Sequence, residues 1–362
     1  MTVRITWRRI AAMVAALAAV GLVVAWSGVI HIGASTGHAA ITDWFLHWSM
    51  RNTVRTYAAL TVEKPAADSD GLVSAAGHYA GHCAVCHGAP GVPPSPQMQS
   101  ATPPAPDLGI TAPGYSDAEL FWIVKHGVKL TGMPAWPALD RDDEIRRMTA
   151  FVRRLPDMTP PEYRALAFGP GTIAGAQPAT LGHALAECER CHAGHGRGQS
   201  DIPILAGQKP AYLRRALEDF ASGRRGSGVM QSAAARIDEA LRHGLADRYA
   251  RRAGLVERPI VDPAERGRPA PGAADATAAA VVAHGVPDLD VPPCASCHAP
   301  GKREDYPILA GQKAAYLAAR LRGFRRDAHE VDARRPDEPM PTIARRLPER
   351  LIEPLARYFA EL

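Results

Sequence analysis

After a short basic start containing Arg4, Arg8 and Arg9, the chain runs from Ile10 to Thr42 without one Asp, Glu, Lys or Arg. The apolar core of this run, about Ile10 to Ile32, is long enough to cross a bilayer as a helix. Arginines precede it, the arrangement that keeps an N-terminus in the cytoplasm and exports the remainder of the chain. The alternative is a cleaved signal peptide, because Ala34 and Ser35 are small enough to suit a peptidase, but the run exceeds a usual signal core and favours an uncleaved anchor. Next, Trp44, Phe45 and Trp48 share one helical face behind Thr42 or Asp43 as a cap. That face predicts a short helix either lying in the membrane interface or packing on the first downstream domain. At the other end, Leu351, Leu355, Tyr358 and Phe359 form the apolar stripe of an amphipathic segment from Leu347 to Leu362, with Pro354 placed to delay or kink its start.

Between these ends the pattern repeats. Pro203-Ile-Leu-Ala-Gly-Gln-Lys209 recurs as Pro307-Ile-Leu-Ala-Gly-Gln-Lys313, and 12 of 18 positions match out to Phe220 and Phe324. Such self-similarity implies two duplicated domains. A fainter echo, Pro106-Asp107-Leu108, marks a third and more distant unit ahead of them. The three prolines of Leu155–Tyr163 close that first unit, and a Pro/Ala/Gly-rich run from Pro259 to Ala274 separates the other two. The expected organisation is residues 1–34 as anchor or signal segment and 35–66 as juxtamembrane helix and linker. Domains then occupy 67–160, 161–256 and 275–362, with 257–274 as linker. The closing helix of the second domain is poorly marked, because Ile237–Arg252 is basic and lacks a clear boundary.

Composition adds one constraint. The 362 residues include 32 Gly and 32 Pro but only 6% aromatics, so domains of this size lack the apolar volume for a full core of their own. The net charge of +5 is too small to argue for nucleic acid. The six cysteines supply the missing element, since all lie in C-x-x-C-H motifs: Cys83/Cys86/His87, Cys188/Cys191/His192 and Cys294/Cys297/His298. This is the attachment signal for c-type haem, in which two thioether bonds fix the porphyrin and the adjacent histidine ligates iron. A thioredoxin-like site needs neither the histidine nor a second copy. A zinc site needs four ligands close together, whereas these motifs lie 105 and 106 residues apart. Three covalently attached haem c groups are therefore expected.

A low-spin carrier needs a second axial ligand, and methionine is the usual one. Met133 in Gly132-Met-Pro134 follows His87 by 46 residues, Met230 in Gly228-Val-Met230 follows His192 by 38, and Met340 in Pro339-Met-Pro341 follows His298 by 42. Each is read as lying on a Gly- or Pro-rich loop ahead of a helix. Met148 reads instead as core filler. His126, His243 and His329 are rival ligands without a comparable loop, and His78, His82, His183 and His195 read as surface or edge residues. Pro106, Pro203 and Pro307 are placed to offer carbonyls that would orient the three proximal imidazoles.

These motifs resemble class I c-type cytochromes. The second and third domains are similar to the dihaem cytochrome c-four family through C-x-x-C-H, P-I-L-A-G-Q-K-x-A-Y-L, a Phe and the late Met. The first, through Cys83–His87 and G-M-P-A-W at Gly132–Trp136, is similar to monohaem domains of respiratory complexes. The resemblance implies an all-α chain of three tandem haem-wrapping domains behind an N-terminal transmembrane helix. It further implies an electron carrier rather than an enzyme, held at a bacterial inner membrane with its haem domains in the periplasm. The partners expected are a cytochrome bc complex or a dehydrogenase as donor and a terminal oxidase as acceptor. The competing readings are a cytochrome subunit of a membrane-bound dehydrogenase and a haem peroxidase, which would need an open coordination position.

Overall fold

The computed structural model describes residues 6–62, 72–169, 179–193, 202–258, 273–325 and 338–362. Among these the regular structure is helical, and extended pairing is limited to two isolated bridges, Ala89 with Val92 and Val286 with Val291. The N-terminal run forms α1 (Trp7–Trp26), which buries no side chain and is long and apolar enough to span a membrane. The expected interface helix is longer than its aromatic face suggested. It is α2 (Ala40–Thr61), and its two halves face different surroundings. Trp44, Phe45 and Trp48 are more than half exposed, whereas Val54 and Ala58 are buried. Tyr57 stacks on Trp122 with ring centroids 5.9 Å apart, and Arg51 donates to the Gly114 carbonyl at 2.8 Å.

Among the described residues the buried apolar side chains gather in three clusters, and each rests on the same triangle of helices. In the first cluster the triangle is α3 (Leu72–His78), α4 (Asp117–His126) and α5 (Asp142–Arg154), with α6 (Pro160–Phe168) laid across it. The second cluster uses α7 (Leu181–His192), α8 (Pro210–Ala221) and α10 (Glu239–Ala250), with α9 (Gly228–Ala235) against α8. In the third, α11 (Ala273–His284) and α12 (Ala314–Phe324) pack on α14 (Ile352–Glu361), with α13 (Pro339–Arg346) against α12. In every copy the first and middle helices lean on the closing one.

Local chemistry sets the helix limits. Ser116 and Glu119 form a reciprocal capping box at α4, and Thr159 and Glu162 do so at α6. The second of these boxes explains a departure from expectation. The Pro-rich stretch near residue 160 starts a helix instead of a linker, with prolines at its first positions where no N–H is needed. Tyr163 and Ala167 of α6 are buried in the first cluster, so the chain stays on it beyond residue 160. The poorly marked closing helix exists as α10, capped by Asp238, with His243 and Arg248 exposed and Leu245, Ala246 and Tyr249 buried, while Arg242 turns back to donate to the Ile237 carbonyl at 2.6 Å. Leu351, just before α14, and Leu355, Tyr358 and Phe359 within it are buried as the periodicity required. Pro354 sits in the first turn, so it delays the helix behind a 3-10 turn at Glu349–Leu351. Most of the linker expected at 257–274 lies outside the described residues.

The recurring P-I-L-A-G-Q-K segments perform two tasks. Gly207 N–H donates to the Tyr249 carbonyl at 3.0 Å and Gly311 N–H to Phe359 at 2.8 Å, so each segment ties itself to its own closing helix. The glutamines tie it to the other copy. Gln208 accepts from Ile308 N–H at 2.8 Å and donates to the Ile308 carbonyl at 3.0 Å. Gln312 does the same with Ile204, at 2.9 and 3.0 Å. Both glutamines are 3% exposed.

This packing makes the glutamine joint testable. Gln208→Ala leaves a buried N–H and a buried carbonyl of the other repeat unpaired, a loss of about 1–3 kcal/mol. Denaturant unfolding of the haem-loaded protein reads that loss, and the Gln208→Ala/Gln312→Ala double variant is expected to lose less than the sum because the parted joint admits water. An unchanged midpoint in both singles would mean the joint does not persist in solution. The turn after α4 gives a second expectation. Gly127 has φ +64°, and a Cβ there would lie 2.5–2.6 Å from Met133 and Pro134 backbone atoms, whereas one on Gly132 meets open space. Gly127→Ala is expected to cost about 1–3 kcal/mol and Gly132→Ala under about 0.5. Equal thermal midpoints for the two would show that the turn is not held in this conformation.

Candidate haem-binding sites

The first C-x-x-C-H grows directly from α3. The helix loosens into a π turn at Tyr79–Cys83 and re-forms as Ala84–His87. Tyr79, 1% exposed, donates to the Gly88 carbonyl at 2.7 Å and so fixes where this segment stops. The second motif ends α7, which Thr180 caps. The third forms the short helix Ala295–His298.

The three histidines have one arrangement in common. His87 Nδ1 is 2.8 Å from the Pro106 carbonyl, His192 Nδ1 is 3.1 Å from that of Pro203, and His298 Nδ1 is 3.1 Å from that of Pro307. A carbonyl oxygen can only accept, so Nδ1 carries the proton and Nε2 of the neutral ring keeps its lone pair for a ligand. Burial lowers the His192 pKa to about 4 and also lowers that of His298, holding both rings neutral. The three proline carbonyls anticipated from the sequence are thus the acceptors found. Burial acts on the thiols in the opposite sense. It pushes Cys83 and Cys188 up to about 12 and Cys294 to about 11, surroundings that favour an uncharged sulfur, as in a thioether.

The second and third sets line one cavity of about 560 Å³. Cys188, Cys191, His192 and Met230 border it together with Cys294, Cys297, His298 and Met340. Aromatic and aliphatic side chains such as Phe220, Leu245, Leu317 and Phe359 complete its walls. Charged side chains of the α5 N-terminus, among them Arg141 and Glu144, and arginines such as Arg215 and Arg320 also border it. The Tyr249 hydroxyl is buried without a hydrogen-bond partner among the described residues, and the buried Arg225 holds its guanidinium over the Phe220 ring at 4.3 Å.

The methionines depart from the loop reading. Of the three, only Met133 lies in a loop, where its carbonyl accepts from Val128 N–H at 3.2 Å and its N–H donates to Thr131 Oγ1 at 3.1 Å. Met230 and Met340 occupy the first turns of α9 and α13. The Ser227 side chain fixes the first of these by accepting from Met230 N–H at 2.9 Å. Met148 is core, 1% exposed. Of the rival histidines, His126 and His243 are exposed on helices, and His329, like His195, lies outside the described residues. His183 is exposed, but His78 is not the edge residue expected. Its ring packs between His82 and Trp136 at 4.6 and 4.7 Å, and burial lowers its pKa to about 3. Sequence reasoning also missed Gln208 and Gln312, whose signal was their exact recurrence in the repeats, and the buried Glu144, which no pattern marked.

Residues 72–152 match the family model for cytochrome c oxidase, cbb3-type, subunit III. A thiosulfate dehydrogenase electron acceptor of Stutzerimonas stutzeri is 33% identical over 196 residues, 53% of this chain and 83% of the relative. A protein of the same description from Thiomonas intermedia is 31% identical over 212 residues, 55% of this chain and 91% of the relative. Cytochrome c4 of Azotobacter vinelandii is 29% identical over 189 residues, 49% of this chain and 85% of the relative. Haem c, the group such proteins carry, fits the residues present: paired thiols, an imidazole held on a proline carbonyl beside each pair, and a largely apolar cavity with an orphaned hydroxyl. On these grounds the chain belongs to the class I c-type cytochromes, electron carriers with covalently attached haem c, and the dihaem cytochrome c4 proteins are among its relatives.

Proposed function

We propose that the protein is a membrane-anchored, exported trihaem cytochrome that takes electrons from a periplasmic dehydrogenase and passes them toward a terminal oxidase. The units would span 67–168, 169–256 and 275–362, with α1 as the anchor. Cys83 and Cys86, Cys188 and Cys191, and Cys294 and Cys297 would hold the three haems. His87 with Met133, His192 with Met230 and His298 with Met340 would be the axial pairs. The observation that supports this most strongly is the threefold recurrence of an imidazole fixed on a proline carbonyl beside two partly buried thiols.

When bound, the haem iron supplies reversible one-electron chemistry. The chain's own part is to keep that chemistry simple. Pro106, Pro203 and Pro307 hold each imidazole in one tautomer and orientation. Met133, Met230 and Met340 would supply the second ligand of each haem, which would leave no position for a substrate and so favours a carrier over a peroxidase; a thioether ligand would also raise the reduction potential. The apolar walls of the shared cavity exclude water, which lets the ligands stay in place as the charge changes. A site shared by two ligand sets also suits passage of electrons between them.

The donor side has a specific candidate. Relatives covered over most of their length are described as acceptors for thiosulfate dehydrogenase, so the dehydrogenase proposed here is one that oxidises thiosulfate. The same likeness favours a second reading, in which the chain is a standing subunit of that dehydrogenase complex. Purification from native membranes separates the two, since a stable subunit co-purifies with the catalytic chain in fixed proportion and a carrier does not.

Two measurements test the proposal. Thiosulfate is expected to reduce the ferric protein only when a thiosulfate dehydrogenase is present, and a donor-independent rate or none at all would refute the assignment. Met133→Ala, Met230→Ala and Met340→Ala are each expected to remove about one third of the thioether-to-iron charge-transfer band of the ferric protein, as one of three equivalent ligands. A variant that keeps the full band would exclude its methionine as a ligand.

A further inference from the structure

Glu144 is the third residue of α5 and is 5% exposed. Its carboxylate gathers donors from three separate segments. It accepts from the Trp136 indole N–H at 3.2 Å, from Gly228 N–H at 2.7 Å and from the Ser227 hydroxyl at 2.5 Å, and Arg141, the residue just before α5, approaches at 3.0 Å. A carboxylate taken out of water is tolerated only when its lone pairs are met, and here they are met by groups that bear on two methionines. Trp136 stands three residues after Met133, and its backbone N–H donates to the Lys125 carbonyl at 3.0 Å. Ser227, fully buried, is the cap whose oxygen accepts from Met230 N–H. The two segments also touch directly. A Cβ on Gly228 would fall 2.4 Å from the Trp136 ring, so only glycine allows this approach. Arg141 completes the joint by donating to the Gly226 carbonyl at 3.3 Å.

We propose that Glu144 is a positioning residue for Met230. Through Ser227 and Gly228 it holds the first turn of α9 in the register that presents the thioether to the second site, and through Trp136 it locks that turn to the segment carrying Met133. The first and second sites therefore share one joint, just as the second and third share one cavity. This inference rests on the reading that Met230 ligates iron.

The test uses the full-length, haem-loaded protein and two readouts. These are the strongly shifted methyl resonances of the ligating methionines in the reduced state, and the midpoint potential of the second site. Met230→Ala is expected to delete one methyl resonance, which assigns it. Glu144→Ala is expected to shift or broaden that same resonance and lower the second potential, while the Met340 resonance stays in place. Glu144→Gln keeps an acceptor for Gly228 and a partner for Ser227 but loses the negative charge, so the resonance is expected to return and the potential to rise. If Glu144→Ala leaves the resonance in place and raises the potential as the Gln variant does, the residue acts only through its charge and the proposal falls alone. If Met230→Ala deletes no resonance, the ligand reading and the proposal fall together. Should Glu144→Ala fail to fold, Ser227→Ala carries the test. It keeps the carboxylate and deletes the hydroxyl that links it to Met230, and an unmoved resonance there overturns the proposal.

Discussion

At the joint between the two repeats, Gln208 and Gln312 each lend a side-chain amide to the backbone of the opposite copy. An isoleucine in each P-I-L-A-G-Q-K segment has its N–H and carbonyl turned toward the neighbouring copy, away from water. Left unpaired, those groups would oppose burial; paired by a glutamine from the other side, they let the two segments meet edge to edge. Because each segment is also tied to its own closing helix, through Gly207 to Tyr249 and Gly311 to Phe359, the joint fixes the two helix triangles relative to each other. The merging of the second and third ligand sets into one cavity is a consequence of that joint.

The same segment begins with the proline whose carbonyl orients the imidazole. Pro203 and Pro307 stand five residues before Gln208 and Gln312, so the element that aims the histidine also builds the joint. That economy explains why the stretch recurs so closely while the flanking helices have diverged. The first unit has no such partner. Pro106 aims His87, but the next residues are Asp107 and Leu108 instead of a glutamine-bearing segment, and Asp107 caps a short helix. Its connection to the second unit is made of different material, a buried carboxylate at the start of α5, with Trp136 and Ser227 as its main partners.

Toward the N-terminus, the first half of α2 keeps its aromatic residues outside, while the second half is held to α4 by Tyr57 on Trp122 and to the turn before α4 by Arg51 on the Gly114 carbonyl, with Val54 and Ala58 buried. A single continuous helix thus joins the first unit to the segment after α1. If α1 is the anchor proposed above, a stiff α2 would restrict how the first unit can turn against the membrane.

Covalent and short-range requirements were legible in the chain. Thioether attachment needs two cysteines and a histidine in a fixed local order, so the three motifs read directly. The 3.6-residue period disclosed α14, and repetition disclosed the shared segment and its proline carbonyls. The helical cap at Thr159 shows why a proline-rich stretch could be misread: proline is as much a helix starter as a breaker, and only the packing of Tyr163 and Ala167 decides which. For α10 the interspersed basic residues hid an apolar face that becomes evident only against α7 and α8. What the tertiary structure alone decided are contacts between distant segments: the glutamine joint, the merged cavity, the placing of Met230 and Met340 in helical first turns, and Glu144 between two methionine segments. Such contacts join residues some 80 to 110 positions apart, such as Glu144 with Gly228 and Ile204 with Gln312. No local pattern encodes them, because their energy comes from burying polar groups against partners that only the folded chain brings within reach.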